Sequence, residues 1–449
     1  MTDTATSLWP TAVGAGTGFR IGGLGDSGTW LLSGPPATDT PEELISHLAR
    51  LGLPPVGDGI RASRALVRES GLQGRGGGCF PLASKLDAAL LAPGEPLVVV
   101  NASESEPASR KDWTLCCHRP HLVLDGAAVV AAIVGSGEVV IHLHRGATRA
   151  TAAMERAIAE RRAAGLSDPR WRVSLGPDRY VAGESSAIAS LLQGGEARPL
   201  FSAVPMALRG PSGRPTVVNN AETMAHVGLI TRTGVPAWRS GGTPSSPGPR
   251  LLTLVGSVPD PGMVVELIGQ ATIGEILSES GHGQRPAGVL VGGYAGTWID
   301  GDIAWRTPFD RVALDCLGAQ PGCGLLGVLP HGSCGLTETA RLVTYLSAET
   351  AGQCGPCVNG LPRLAKAFSE LAVGSLRQRG LRRLILLGDA IEGGGACRHP
   401  DGVVQLVRSA LEVFMDDVAR HVAGRSCRGA AHPPVFQVPD VNLRGKGWQ

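Results

Sequence analysis

Little in this sequence is aromatic, and almost no charge is left over. Phe, Trp and Tyr make up 4% of the 449 residues, and 41 Lys and Arg face 39 Asp and Glu, a formal charge of +2. Without a basic excess, neither nucleic acid nor an anionic membrane surface is expected as a partner. Long apolar runs are missing too: AAVVAAIVGSGEVVIHL is broken by glycine and charge before it reaches the length of a bilayer span. The opening MTDTATSLWPTAVG lacks the basic region and apolar run of a secretory signal. A soluble cytoplasmic protein is expected. Its ten cysteines should then stay reduced, so closely spaced thiols read as metal or redox sites before disulfides.

Glycine (64) and proline (33) are abundant, as tight turns and close backbone approaches require. The length suggests two to four domains. Residues 1–40 show no clear period and read as an irregular lead-in, partly strand. TPEELISHLARLG reads as a helix with a Thr cap and Pro in its first turn. From there to about residue 240, strands such as PLVVVNA and EVVIHLH alternate with helical patterns, which argues for an α/β domain with a mainly parallel sheet (41–240). SGGTPSSPGPR is a linker. Residues 250–330 form a compact strand–strand–helix–strand unit of the β-grasp (SLBB-like) kind, 335–424 a helical bundle, and 425–449 an extended, poorly ordered tail.

Four short stretches carry candidate chemistry. In Gly74-Arg75-Gly76-Gly77-Gly78-Cys79-Phe80-Pro81, consecutive glycines let backbone N–H groups converge on an anion, and Arg75 adds positive charge. NASESEP (Asn101 to Pro107) follows a strand directly, where ligands of open α/β sheets bind, and offers Glu104 and Glu106 to hydroxyl groups or a ring edge. YVAGESSA places Glu184 after an aromatic and a glycine turn. PTVVNNAET ends a strand with Asn219 and Asn220, side chains able to read a heterocycle edge. Each alone is equally a turn or a helix cap.

Together, in this order, GLQGRGGGCFP, NASESEPASRKD, YVAGESSA and PTVVNNAET resemble the NADH-binding flavoprotein subunit of respiratory complex I and its relatives in NAD-linked hydrogenases and formate dehydrogenases. The likeness covers roughly residues 40 to 420. It implies a Rossmann-like FMN domain, a β-grasp domain and a C-terminal helical bundle, with FMN taking hydride from NADH and passing electrons singly to a four-iron cluster. Carried over by position, Gly74, Arg75, Gly76, Gly77 and Lys85 would surround the FMN phosphate. Asn101, Ser103, Glu104, Tyr180, Gly183, Glu184, Asn219, Asn220 and Thr223 would line the ribityl chain and ring, and Phe80 and Glu106 would face NADH. No side-chain acid or base is required. The resemblance also implies a partner, a small thioredoxin-like 2Fe-2S subunit or another redox protein, and a position peripheral to a membrane complex.

The departures from the family pattern fall inside these sites. Ser103 stands for an Asp and Ser185 for a Glu, which removes two negative charges beside the flavin and should raise its potential. Cys79 replaces the last glycine of the loop. Ser202 and Pro205 stand where the family has the Lys and Phe that hold the adenosine half. The FMN pocket is therefore better preserved than the NADH pocket.

The family's cluster motif, S-C-G-x-C-x-P-C with a distant fourth cysteine, appears here as TAGQCGPC. Cys354 and Cys357 are kept, Cys397 follows 40 positions later, and Ala351 replaces the first ligand. Three readings stay open: an iron–sulfur cluster (4Fe-4S) with another group in the fourth position, a Cys₃His zinc site using His399, or free thiols. His399 and Cys334 are the candidate fourth ligands. Cys116, Cys117, Cys316, Cys323 and Cys427 show no ligand spacing. The expected function is flavin-dependent oxidation of NADH. The rivals are an FMN relay fed by a partner, and a non-catalytic scaffold with a structural zinc.

Overall fold

The computed structural model describes residues 19–440 and 447–448, apart from 24, 25, 27, 29, 56–58 and 426. Strand β1 (Phe19–Gly22) stands far in sequence from its sheet. The next four strands, β2 (Leu97–Asn101), β3 (Glu138–His144), β4 (Arg170–Gly176) and β5 (Thr216–Asn220), are all parallel in the spatial order β4-β3-β2-β5. β2 and β5 are Val-rich and buried except at their last residues, as a sheet covered on both faces demands. The strand order reverses between β2 and β5, which opens a crevice beyond their carboxyl ends. Asn101 and Asn220, the half-buried last residues of those strands, stand at its floor.

One face of this sheet is covered by the helices Pro120–Val134 and Ala221–Thr233. The first is apolar nearly all round and buried at all but one residue, the pattern of an interior helix. The two cross at Gly126, where an added Cβ would fall 1.7 Å from the Met224 carbonyl oxygen. Asp125 beside it is buried yet ionised: burial opposes its charge, but His47, Arg232 and Arg161 hold the carboxyl below the usual range.

The second sheet gathers β6 (Arg250–Gly256), β7 (Met263–Gly269), β8 (Gly288–Val291), β9 (Thr297–Asp300) and β10 (Leu325–Leu329) in the order β1-β7-β6-β10-β8-β9. β1 therefore belongs to it, paired antiparallel to β7. Leu31 and Leu32, also in the expected lead-in, are fully buried and donate their N–H groups to Glu266 of β7. Residues 1–18 of that lead-in lie outside the described residues. The helices Gly335–Ala348, Leu361–Ala372, Gln378–Ile391, His399–Val413 and Met415–Val422 form the last layer around Leu342, Leu364 and Phe368.

Two expectations need correction. The first helix runs Leu44–Leu51, past the supposed Thr cap, because Glu42 turns inward to pair with Arg50 and His47 instead of extending the helix. The tail is packed where it is described: Phe436 is buried against Trp298 and Tyr294, and Trp448 lies beneath the guanidinium groups of Arg179 and Arg198.

Because the Gly126 crossing brings one helix backbone against another, Gly126→Ala should destabilise the protein by about 3 kcal/mol, seen as a lower guanidinium unfolding midpoint.

Candidate functional site

The crevice is built by a buried polar network. Glu104, at a left-handed φ of 40°, points its carboxylate at the start of the helix Lys111–His118 and accepts from Asp112 N–H (3.0 Å), Trp113 N–H (2.7 Å) and the Ser109 hydroxyl (2.7 Å). Lys111, fully buried, reaches Asp112 (2.9 Å), Asn220 Oδ1 (2.9 Å) and Glu222 (3.0 Å). Burial opposes its charge, but Asp112, Glu222 and Glu104 outweigh that and hold the ammonium protonated. Asn220 caps the helix Ala221–Thr233 by accepting from Glu222 N–H, and its amide donates to Asp112 (2.6 Å). The loop after β2 and the helix after β5 are thus locked to one lysine.

A cavity of about 400 Å³ opens above this network. Its walls include Gly76, Gly77, Asn101, Ser103, Glu104, Glu106, Tyr180, Gly183, Glu184 and Asn220, together with Gly292, Gly293, Cys323, Cys397, Arg398 and His399. Gly183 has no room for a side chain, since a Cβ there would sit 2.5 Å from Ser105 Oγ and 2.7 Å from Ser103 Oγ. Asn101 anchors that turn by donating to the Gly183 carbonyl (2.8 Å) and accepts the Ser103 hydroxyl (2.7 Å). Glu184 caps the helix Ser185–Leu192 by accepting from Ser186 N–H. A second cleft of about 690 Å³ shares Ser103 to Glu106 and continues past Trp113, His142, His144 and Arg145.

Among the described residues, Glu106 is one of two groups in the cavity wall with an unpartnered buried atom, the other being His399 at Nδ1. Glu106 Oε2 accepts from Tyr180 O–H (3.2 Å) and Tyr294 N–H (3.0 Å), while the enclosed Oε1 has no partner. Enclosure raises its pKa to about 7 against those hydrogen bonds, so it changes protonation near neutrality. Tyr180 also packs against the His399 ring, 5.4 Å between centroids.

Several residues expected here face elsewhere. Arg75 is buried behind the glycine loop and donates to the carbonyls of Pro247 (2.9 Å) and Pro249 (3.3 Å), with its pKa pulled down to about 9 by burial and by Arg250. The expectation that it meets the FMN phosphate is corrected: the guanidinium satisfies a carbonyl-rich linker instead. Thr223 accepts the Arg75 N–H (2.9 Å), and Gly74 N–H bonds to the Phe80 carbonyl (2.9 Å). Lys85 and Asn219 lie along β5, with Lys85 Nζ on the Val218 carbonyl (2.9 Å) and Asn219 Oδ1 (3.1 Å). Burial lowers the Lys85 pKa to about 8, and the buried Asn219 Nδ2 has no partner. Phe80 stands out, 52% exposed, and Cys79 takes a left-handed φ of 45° that a glycine would adopt freely.

The three spaced cysteines converge beside the cavity. Cys354 lies just before the π-helical turn Pro356–Gly360, and Cys357 within it; the two thiols hydrogen-bond to each other. Cys397, just before His399–Val413, joins the cavity wall. Burial, then Cys354, pushes the Cys357 thiol up to about 12; burial raises Cys354 too, but the backbone N–H groups of Ala396 and Cys357 outweigh it and lower that thiol. These thiols, with His399, do not form a group whose donor atoms all lie within 4.8 Å, which a single zinc ion needs. His399 Nε2 instead donates to the Leu346 carbonyl (2.9 Å), and burial lowers its pKa to about 4. Cys334 is also corrected as a fourth ligand, because it sits with His421 and Cys427. Ala351 packs against Val181, Tyr180 and Trp448.

Sequence reasoning passes over Lys111 and Asp112, although both lie in NASESEPASRKD. It also misses Gly292, Gly293 and Cys323, which reach the cavity from the second sheet and carry no motif of their own.

Two family models match the chain: the Nuo51 FMN-binding domain over residues 67–229, and the NADH-ubiquinone oxidoreductase-F iron-sulfur binding region over residues 337–421. The F subunit of NADH-quinone oxidoreductase from Streptomyces coelicolor is 30% identical over 376 residues, 81% of this chain and 83% of that one. The F subunit numbered 2 of the same enzyme from Rhizobium meliloti is 31% identical over 377 residues, 81% and 89% of the two chains. A chain of the NAD+-reducing [NiFe]-hydrogenase in its H2-reduced state superposes with a TM-score of 0.74 at 27% identity; the match covers 84% of this chain but only 64% of that one. With the α/β architecture and the crevice beyond β2 and β5, these likenesses place the chain in the family of NADH-quinone oxidoreductase F subunits.

Proposed function

We propose that this chain oxidises NADH through a bound FMN and passes the electrons to an iron–sulfur cluster held by Cys354, Cys357 and Cys397. One observation carries the reading: Cys397 and His399 belong to the wall of the same cavity that Gly76, Asn101 and Asn220 line, so thiol site and crevice adjoin.

The residues suit FMN. Glycines at 76, 77 and 183 leave flat walls for a ring, and Asn219 Nδ2 and Glu106 Oε1 are enclosed polar atoms in want of a partner. Gly76 and Gly77, in the loop that lines the cavity, would hold the phosphate, with Lys85, which bonds only to neutral oxygens, supplying the charge. Asn101, Ser103, Tyr180, Gly183, Glu184 and Asn220 would line ribityl and ring. FMN, when bound, supplies the hydride acceptor that can release electrons one at a time. The chain's own part is positional: Tyr180 and Glu106 close one side, the Lys111 network fixes the floor, and Glu106 holds or releases a proton at Oε1 near pH 7. Phe80 offers an exposed ring for a nicotinamide or adenine face.

Three thiolates would hold a multi-iron cluster, which spans more widely set donors than one ion does, with the fourth position beside Ala351 left to a non-cysteine ligand. Among the described residues no single helix is long and apolar enough to cross a membrane. The proposed partners are a thioredoxin-like 2Fe-2S subunit or another redox protein, in a complex peripheral to a membrane.

Anaerobically purified or reconstituted protein should show flavin bands with an iron–sulfur shoulder, and NADH should bleach the flavin. Flavin bleached by a reduced carrier but not by saturating NADH would make the chain a relay; a colourless folded protein that resists reconstitution would sink the proposal. Cys397→Ser should lose the iron, whereas Ala351→Cys should slow its loss to a chelator about tenfold, followed by absorbance.

The Glu106 carboxyl predicts a pH effect with a definite sign. Its folded pKa is raised from 4.5 to about 7, so the stability it contributes is complete below pH 4.5 and lost as pH rises through about 7. Urea unfolding should show wild type losing about 3 kcal/mol relative to Glu106→Gln between pH 4.5 and pH 8.

A further inference from the structure

Cys334, His421 and Cys427 come from three places in the chain: the residue before the helix Gly335–Ala348, the last turn of Met415–Val422, and the tail. Their two Sγ atoms and a ring nitrogen of His421 all lie within 4.8 Å of one another, and the residues are 1%, 0% and 8% exposed. Neither the cavity nor the Cys354 site uses them.

The histidine is presented in one tautomer. Its Nδ1–H donates to the Leu371 carbonyl at 3.1 Å, which leaves a lone pair on Nε2. That lone pair accepts the Cys427 N–H at 3.2 Å and lies 3.9 Å from Cys334 Sγ, so an ion bound there would take the place of that N–H. A ring pinned by a backbone carbonyl on one nitrogen, with the other beside the Cys334 thiol and within 4.8 Å of the Cys427 sulfur, has the outer partner that a metal-ligating imidazole uses. The tail is also held close: a Cβ on Gly429 would fall 2.5 Å from the Cys334 backbone nitrogen, so only glycine lets the tail pack on the backbone of Ser333 and Cys334.

We propose that Cys334, His421 and Cys427 form a binding site for a thiophilic divalent ion of the zinc class. Tetrahedral zinc with bonds of about 2.3 Å to sulfur and about 2.05 Å to nitrogen sets sulfur about 3.6 Å from nitrogen and about 3.8 Å from sulfur; the Cys334–His421 pair, at 3.9 Å, is within tenths of an ångström of this, and no pair needs to close by more than about 1 Å. Thiolate and imidazole donors select such ions over magnesium or calcium. Binding releases two thiol protons to solvent, and two thiolates then neutralise the divalent charge, so no net charge is buried. The fourth position goes to water. The ion would fasten the tail to both ends of the helical layer, apart from the electron path.

The test is zinc content after incubation with zinc sulfate and desalting, on the full chain and on two double variants. Wild type should retain about one zinc beyond any held at the cluster cysteines, and Cys354→Ser/Cys357→Ser should keep that one. Cys334→Ser/Cys427→Ser should lose it. Cobalt(II) added to Cys354→Ser/Cys357→Ser should give a sulfur-to-cobalt charge-transfer band in the near ultraviolet, a readout that does not rely on the tail variant folding. The proposal is overturned if Cys354→Ser/Cys357→Ser binds neither ion, or if zinc stays unchanged in Cys334→Ser/Cys427→Ser. Thiol titration showing Cys334 and Cys427 joined as a disulfide in anaerobically prepared protein would overturn it as well.

Discussion

Everything at the crevice hangs on one buried ammonium. Lys111 is sealed from water and bonded to Asp112, Asn220 and Glu222, so it holds the loop after β2 against the helix after β5. A charge in that position is tolerable only because three carboxylates surround it, and those carboxylates are tolerable only because of it. Glu104 completes the set by capping the helix that carries Lys111, and Asn220 by capping the next. The crevice left by the reversal of strand order is thereby given a rigid floor.

Much of this is legible in sequence because parallel strands leave a simple trace. Runs such as LVVVN and TVVNN, each ending in Asn, mark buried strands and their carboxyl ends, and the glycine loop and Glu106 fall where the crevice needs them. What sequence does not carry is side-chain direction. Arg75 reads as an anion ligand because an arginine in a glycine loop has positive charge to give, yet the carbonyls of Pro247 and Pro249, about 170 residues on, claim it. Glu104 reads as a ligand carboxylate and proves to be a helix cap with every oxygen engaged. The packing of the tail is hidden for a related reason: its anchors, Phe436 and Trp448, are isolated aromatics with no period to announce them.

The cysteines divide along the same line. Cys354 and Cys357 are visible as a spaced pair because they share a turn, and Cys397 because the resemblance supplies its distance. Cys334, His421 and Cys427 share no local spacing; only the folded helical layer makes them neighbours. Even the absent ligand has a structural counterpart, since Ala351 is roofed by Trp448 and by the two arginines stacked on it. A side chain has been exchanged for a cover.

Glu106 gives the cavity an electrical character of its own. Two electrons entering a small enclosure of low polarisability would build a field that repels the second. A carboxylate titrating near neutrality beside them can take up a proton as negative charge arrives and give it back as that charge leaves. Such an enclosure would be buffered from within: one proton on one oxygen would offset part of the charge that enters it.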